Sequence, residues 1–262
     1  MRKYLEVLRI TVRSHTVYVY DIAFNSLFMA VVMFAFLQLW RATYGGTGQR
    51  MLGGFAFSDM VWYLVMTETI VMSMPALASR IDQEIKTGDI AYSLARPYSY
   101  LGFQYAAFLG EAAVRMPVNY LVGASVAWLG TRTFPVPGWH LLGQALAIWL
   151  GVTLFFLNRL VMGLIAFWTE ETSGFQLIYD RAMWILGGLL LPVELFPGPL
   201  RGVAEVLPFR YAINGPARLF VRFDVRYFLE LLEYQGVWLA VLGLAAHLLY
   251  RAGMRRVTLN GG

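Results

Sequence analysis

The sequence predicts an all-α integral membrane protein: six transmembrane helices, an N-terminal interfacial helix, a cytoplasmic helical segment and an external re-entrant segment, together forming one domain over residues 1–262. Two observations predict it. Apolar residues make up 58% of the chain and charged residues only 14%, with a mean hydropathy of +0.57, whereas a soluble chain of this length carries far more charge. The apolar residues also gather into runs near the roughly 20 residues a helix needs to cross the hydrocarbon core, where every backbone polar group must be satisfied within the segment.

The first run is Ala23 to Trp40, closed by Arg41 and the turn-prone TYGGTGQR. The second, Phe57 to Ala78, is interrupted by Glu68, and the third, Tyr100 to Leu129, contains Glu111, Arg115 and Pro117. After the breaker FPVPG come Leu141 to Trp168, Leu177 to Leu191, and Val237 to Tyr250, the last short unless its helix begins near Leu229. Ahead of the first run, residues 1–22 place Tyr4, Leu5, Leu8, Val12 and Val19 at helical spacing among Arg2, Lys3, Glu6, Arg9 and Arg13, a pattern suited to a helix lying in the membrane interface. This opening has no short apolar core followed by a small-residue cleavage site, so it is read as retained.

Basic residues near the span ends set the topology. Six spans bring both termini to one side, where Arg2, Lys3, Arg9, Arg13, Arg251, Arg255 and Arg256 lie with Arg80, Lys86 and Arg96, which makes that side cytoplasmic. One segment conflicts: Arg201, Arg210, Arg218, Arg222 and Arg226 fall on the nominally external side. Either this part of the chain is partly buried, or the span count is off by one.

Two segments are too elaborate for plain connections. Residues 80–97, RIDQEIKTGDIAYSLARP, read as a short amphipathic helix, a turn at Gly88 and a restart stopped by Pro97, where a simple loop needs only a few residues. Residues 191–228 carry Pro192, Pro197, Pro208 and Pro216 among alternating apolar residues, including Phe196, and cannot form one continuous helix.

The first segment, with its isoleucine, acid, isoleucine, glycine, then leucine, arginine and proline, resembles the cytoplasmic segment of ABC type-2 permeases. That resemblance implies contact with a partner ATPase, with Ile81, Glu84, Ile85 and Gly88 in the coupling helix and Leu94, Arg96 and Pro97 leading back into the third span. The proline-rich segment resembles the external stretch of the same family, in which the chain dips back into the membrane before the last span. The ending YQGVWLAVLGLAAHLLYRAGMRRVTLNGG is similar to a bacterial subgroup that commonly pairs with a second, different permease. The resemblance therefore implies an exporter subunit in a bacterial inner membrane, with ABC ATPase subunits, a second permease and membrane lipids as partners.

The sequence contains no GxxxxGK loop followed by Ser or Thr; Lys3 and Lys86 are its two lysines, and GGTGQR at Gly45 to Arg50 lacks one. ATP and Mg are therefore expected on separate ATPase subunits, with no cofactor on this chain and no catalytic residues in it. Cysteine is absent, and His15, His140 and His247 are too far apart to suggest a metal site. The charge of +5 fits anionic lipid better than nucleic acid, because the arginines are dispersed between apolar runs.

Charges inside a span cost about 2.5 to 3.5 kcal/mol each at its centre, so they need a partner or a role. Glu68, Glu111, Arg115, Asn158 and Arg159 are the candidates. Glu111 and Arg115 are four apart and can pair on one helical face. Glu68 falls near a midplane, with Arg159 as a candidate partner or both as pathway residues. An ion-coupled secondary transporter using Glu68 and Arg159 is the alternative reading, but no internal repeat supports it. A membrane-embedded enzyme is a weaker one. Trp40, Trp62, Trp139, Trp168 and Trp238 suit headgroup-level anchoring.

Overall fold

The computed structural model describes residues 2–17, 19–48, 50–90, 92, 98–135, 140–169 and 171–260. They form helices joined by short connections, with one small hairpin. Helix α1 (Arg2–Val17) is followed by α2 (Val19–Thr47), the two-residue strands β1 (Met51–Leu52) and β2 (Phe55–Ala56), α3 (Phe57–Met72) and α4 (Leu77–Lys86). Then come α5 (Tyr100–Thr131), α6 (Leu141–Leu164), α7 (Ser173–Leu186), the short α8 (Gly198–Val206), α9 (Pro208–Ala212) and α10 (Asn214–Val221), and finally α11 (Val225–Asn260).

Helix α3 lies at the centre, with every residue from Met60 to Ile70 buried. A helix apolar all round belongs inside a bundle, and neighbours enclose this one. On one side α2 contributes Met29, Met33, Leu37, Trp40 and Tyr44, spaced three or four apart so that they share a face. Phe24, Leu27, Phe28, Val31 and Phe34 are exposed. A second apolar cluster joins α4, the first half of α5, α6, α9 and α11. Helix α1 packs along α5, where Tyr4 and Thr11 close over Gly102 and Gly110.

Four helical segments among the described residues are long and apolar enough to cross a bilayer: Ser26–Gly46, Phe57–Lys86, Leu141–Phe167 and Val225–Arg256. The last resolves the short sixth run, because α11 begins at Val225, four residues before Leu229, so residues 225–228 of the segment read as 191–228 are helical and continuous with it. Helix α5 is long enough at 32 residues and passes through Pro117, but the polar positions around Glu111 and Arg115 keep it out of that set. The fifth run does not form one helix. Helix α7 stops at Leu186 after 14 residues, about 21 Å at 1.5 Å per residue against a hydrocarbon core of about 30 Å. Gly188, at φ +76°, turns the chain there, and a side chain on it would meet the Tyr63 hydroxyl, Val193 and Asn214 at 3.0–3.2 Å. An apolar run reveals burial, but not where backbone conformation interrupts the helix.

Prolines punctuate the chain between α7 and α11. Pro197 caps α8, Pro208 opens α9 and Pro216 sits in the first turn of α10, positions where the missing N–H is unpaired in any helix. Pro192 precedes a single 3-10 turn over Val193–Leu195, after which Phe196 is extended. Trp40 and Trp62 face the interior at 8% and 2% exposure, which departs from the headgroup position expected of them; the Trp62 indole N–H donates to the Thr133 carbonyl at 3.2 Å. Trp139 lies outside the described residues.

Candidate functional site

The bundle has two ends of different construction. At one, the hairpin end, the Tyr44 hydroxyl donates to the Phe55 carbonyl at 2.8 Å and Arg222 meets Asp59 at 2.5 Å. At the other, named the coupling end after the role that the sequence reading expects of it, α4 packs beside the beginning of α5, the end of α6 and the end of α11.

Helix α4 is amphipathic and its apolar side faces inward. Leu77, Ala78 and Ile81 are fully or nearly buried, and Ile85 packs against the same cluster. The approach to α6 is close because residue 163 is glycine: a Cβ there would lie 2.9 Å from that of Ile81 and 3.1 Å from the Ala78 carbonyl oxygen. Polar contacts fix the flanks. The Glu84 carboxylate accepts from the Tyr100 hydroxyl at 2.7 Å and the Gln104 amide at 3.2 Å, while the Tyr100 ring stacks on Tyr250 of α11 with centroids 5.8 Å apart. Asp82 accepts from the Thr172 hydroxyl at 2.6 Å and pairs with Lys86 at 2.9 Å. Ser79 donates to Gln176 at 2.9 Å.

Of the residues the sequence placed in a docking segment, Ile81 is thus inside the bundle and Glu84 is engaged within the chain. Gly88 is exposed, together with Gln83, Lys86, Thr87 and Asp89. This tip projects at the end that also carries the start of α5 and the end of α11. Leu94, Arg96 and Pro97 lie outside the described residues.

The intramembrane candidates separate. Glu111 is a shared acceptor, 2.6 Å from Arg115 and 3.3 Å from Arg80. Arg159 bonds to Asp180 of α7, not to Glu68. Asp180 escaped attention because it lies within the apolar run Leu177 to Leu191, although an acid there is a signal of the same kind as Glu68. Asn158 donates to the Leu154 carbonyl at 2.8 Å and accepts from the Tyr179 hydroxyl at 2.5 Å. Glu68 is 3% exposed on α3 and makes no ion pair among the described residues.

The proline-rich segment is built into the hairpin end of the bundle, and buried side chains from the long helices meet its interrupted backbone. The Tyr63 hydroxyl lies against the Gly188 carbonyl and 2.9 Å from Asn214 Oδ1, donating to one of the two. Thr67 donates to the Leu189 carbonyl at 2.8 Å. Gln144 of α6 donates to Leu219 at 3.2 Å, and Gln235 of α11 to Tyr211 at 3.0 Å. Irregular backbone surrounded by protein is tolerated at membrane depth because such groups replace water. Sequence reading missed these residues; the available signal was their polarity within apolar runs.

Compared with known families, residues 27–261 match the ABC-2 family transporter proteins. The chain belongs to this family. It is therefore an ABC-type permease and a multi-pass membrane protein, the membrane component of a transporter and not itself catalytic. Permeases of the family generally work with ABC ATPase subunits. A search of curated proteins finds no match to the chain.

Proposed function

We propose that this chain is the permease subunit of an ATP-driven exporter, forming the translocation pathway with a second permease, different from itself, and taking its work from separate ATPase subunits that bind ATP and Mg. The observation that carries the reading is the disposition of α4. Its apolar side is buried against α6, so a push on the polar tip at Gln83, Thr87 and Asp89 moves α6 with it, and the Glu84–Tyr100–Tyr250 chain extends the same displacement to α5 and α11.

In this reading the coupling end is cytoplasmic, in a bacterial inner membrane, with both termini there. Six passes are completed by α5 and by α7, the latter continued in depth by the buried backbone at Gly187–Leu191. Residues 1–22 lie at the lipid interface, residues 80–97 receive the ATPase, and residues 191–224 form the external re-entrant portion. The ion-coupled alternative loses its main support because Arg159 is engaged by Asp180.

The test is site-directed cross-linking in native membranes. Thr87→Cys, on a chain without cysteine of its own, is expected to cross-link to a polypeptide bearing a phosphate-binding loop, while Leu142→Cys at the opposite end is not. A complex that transports without any nucleotide-hydrolysing partner, or a Thr87 position that labels only from outside the cell, would refute the proposal.

A further inference from the structure

The five arginines that conflict with the charge rule converge. Arg201, Arg210, Arg218, Arg222 and Arg226 line one cavity of about 760 Å³ at the hairpin end, between β2, the proline-rich segment and the start of α11. Its floor is an ion network. Glu194 takes Arg218 at 2.8 Å and Arg210 at 3.6 Å, while Glu205 takes Arg201 at 2.8 Å and Arg210 at 3.1 Å. Three guanidinium groups thus share two carboxylates, leaving one positive charge in excess. Arg222 is neutralised by Asp59, and Arg226, exposed on the rim, has no ion pair among the described residues. The other acids lining the cavity are Asp224, whose carboxylate accepts from the Tyr227 backbone N–H at 2.7 Å, and Glu230 on the rim; with Arg226 these exposed, solvent-screened groups bring the lining to overall neutrality, so the charge that favours an anion is the excess in the floor.

Two atoms in this floor lack a hydrogen-bond partner although buried: the Arg210 Nε donor and the Glu194 Oε2 acceptor. A partly buried cationic network with one orphan donor and one orphan acceptor calls for a guest that is anionic and also carries a hydroxyl. Guanidinium forks match the paired oxygens of an oxyanion.

We propose that this cavity is a binding site for a hydroxyl-bearing phosphate group, held by Arg210, Arg218 and Arg226 and donating its hydroxyl to Glu194. Two sources supply that chemistry, free hydrogen phosphate and a phosphoglycerol lipid headgroup. The site stands on the cavity and its charges, independently of how the permease is powered.

The experiment uses the full-length permease in nanodiscs of phosphatidylcholine, whose headgroup has no hydroxyl, and follows the thermal unfolding midpoint at constant ionic strength. If the source is free anion, inorganic phosphate raises the midpoint saturably, sulfate much less and chloride not at all. If the source is lipid, the rise appears instead on replacing part of the phosphatidylcholine by phosphatidylglycerol. In either arm Arg226→Gln, a rim substitution that leaves the floor intact, should weaken the effect at least tenfold, and Glu205→Gln, which removes a competing negative charge, should strengthen it. No rise in either arm, or a rise unchanged by Arg226→Gln, overturns the proposal.

Discussion

The coupling end and the hairpin end hold irregular chain against the same bundle by different means. At the coupling end α4 is held by apolar packing and by side chains bonded to side chains, as in Glu84 with Tyr100 or Asp82 with Thr172. Both carboxylates also have a second partner, Glu84 the Gln104 amide and Asp82 the Lys86 ammonium. At the hairpin end, besides the ion pairs, buried side chains bond to backbone carbonyls of the interrupted chain at Leu189, Tyr211 and Leu219, which have no alternative once buried. The first arrangement lets a helix shift as a body, whereas the second resists displacement of the chain it holds. The moving part of this permease is accordingly expected where contacts can exchange, and the fixed part where carbonyls are captured.

The contrast is most exposed to refutation at Gly163. Gly163→Val places atoms where Ile81 and Ala78 already sit, and overpacking of this kind costs about 1–3 kcal/mol. Thermal unfolding in detergent should fall accordingly, and the Thr87→Cys cross-link should be lost with it; an unchanged cross-link would mean that α4 does not depend on its seat.

Gln235→Leu probes the opposite end. It strips the Tyr211 carbonyl of its buried donor, at about 1–3 kcal/mol for an unsatisfied group. The loss should appear as increased proteolysis of residues 191–224 with the coupling cross-link intact.

Glu84→Ala separates stability from coupling, because it removes an exchangeable link. Stability should fall by only about 1 kcal/mol, yet ATP hydrolysis should continue while transport is lost. Tight coupling in the reconstituted variant would show that the Glu84–Tyr100 bond carries no motion.

The smallest effect concerns acid. The hydrogen bond from Arg201, followed by the charge of Arg210, holds Glu205 below its ordinary value. Its contribution is therefore complete above the unfolded carboxyl pKa of about 4.3 and is lost as pH falls through the lower folded value. The unfolding midpoints of wild type and Glu205→Gln should differ slightly at neutral pH and converge in acid. Parallel curves down to the lowest pH would show that the Arg201 contact is solvent-screened.

The membrane class, the runs that became α2, α3, α6 and α11, and the breaks at Gly88 and at the prolines were all legible in the sequence. Hydropathy and backbone chemistry are local properties, and the chain carries them before it folds. Which polar groups meet was settled only by packing. It gave Arg159 to Asp180 and not to Glu68, turned Ile81 inward, ended α7 at Gly187, and gathered five arginines, scattered from residue 201 to residue 226, around one cavity. Partnership depends on the distance between side chains after packing, and no spacing along the chain specifies that distance when the partners lie on different helices.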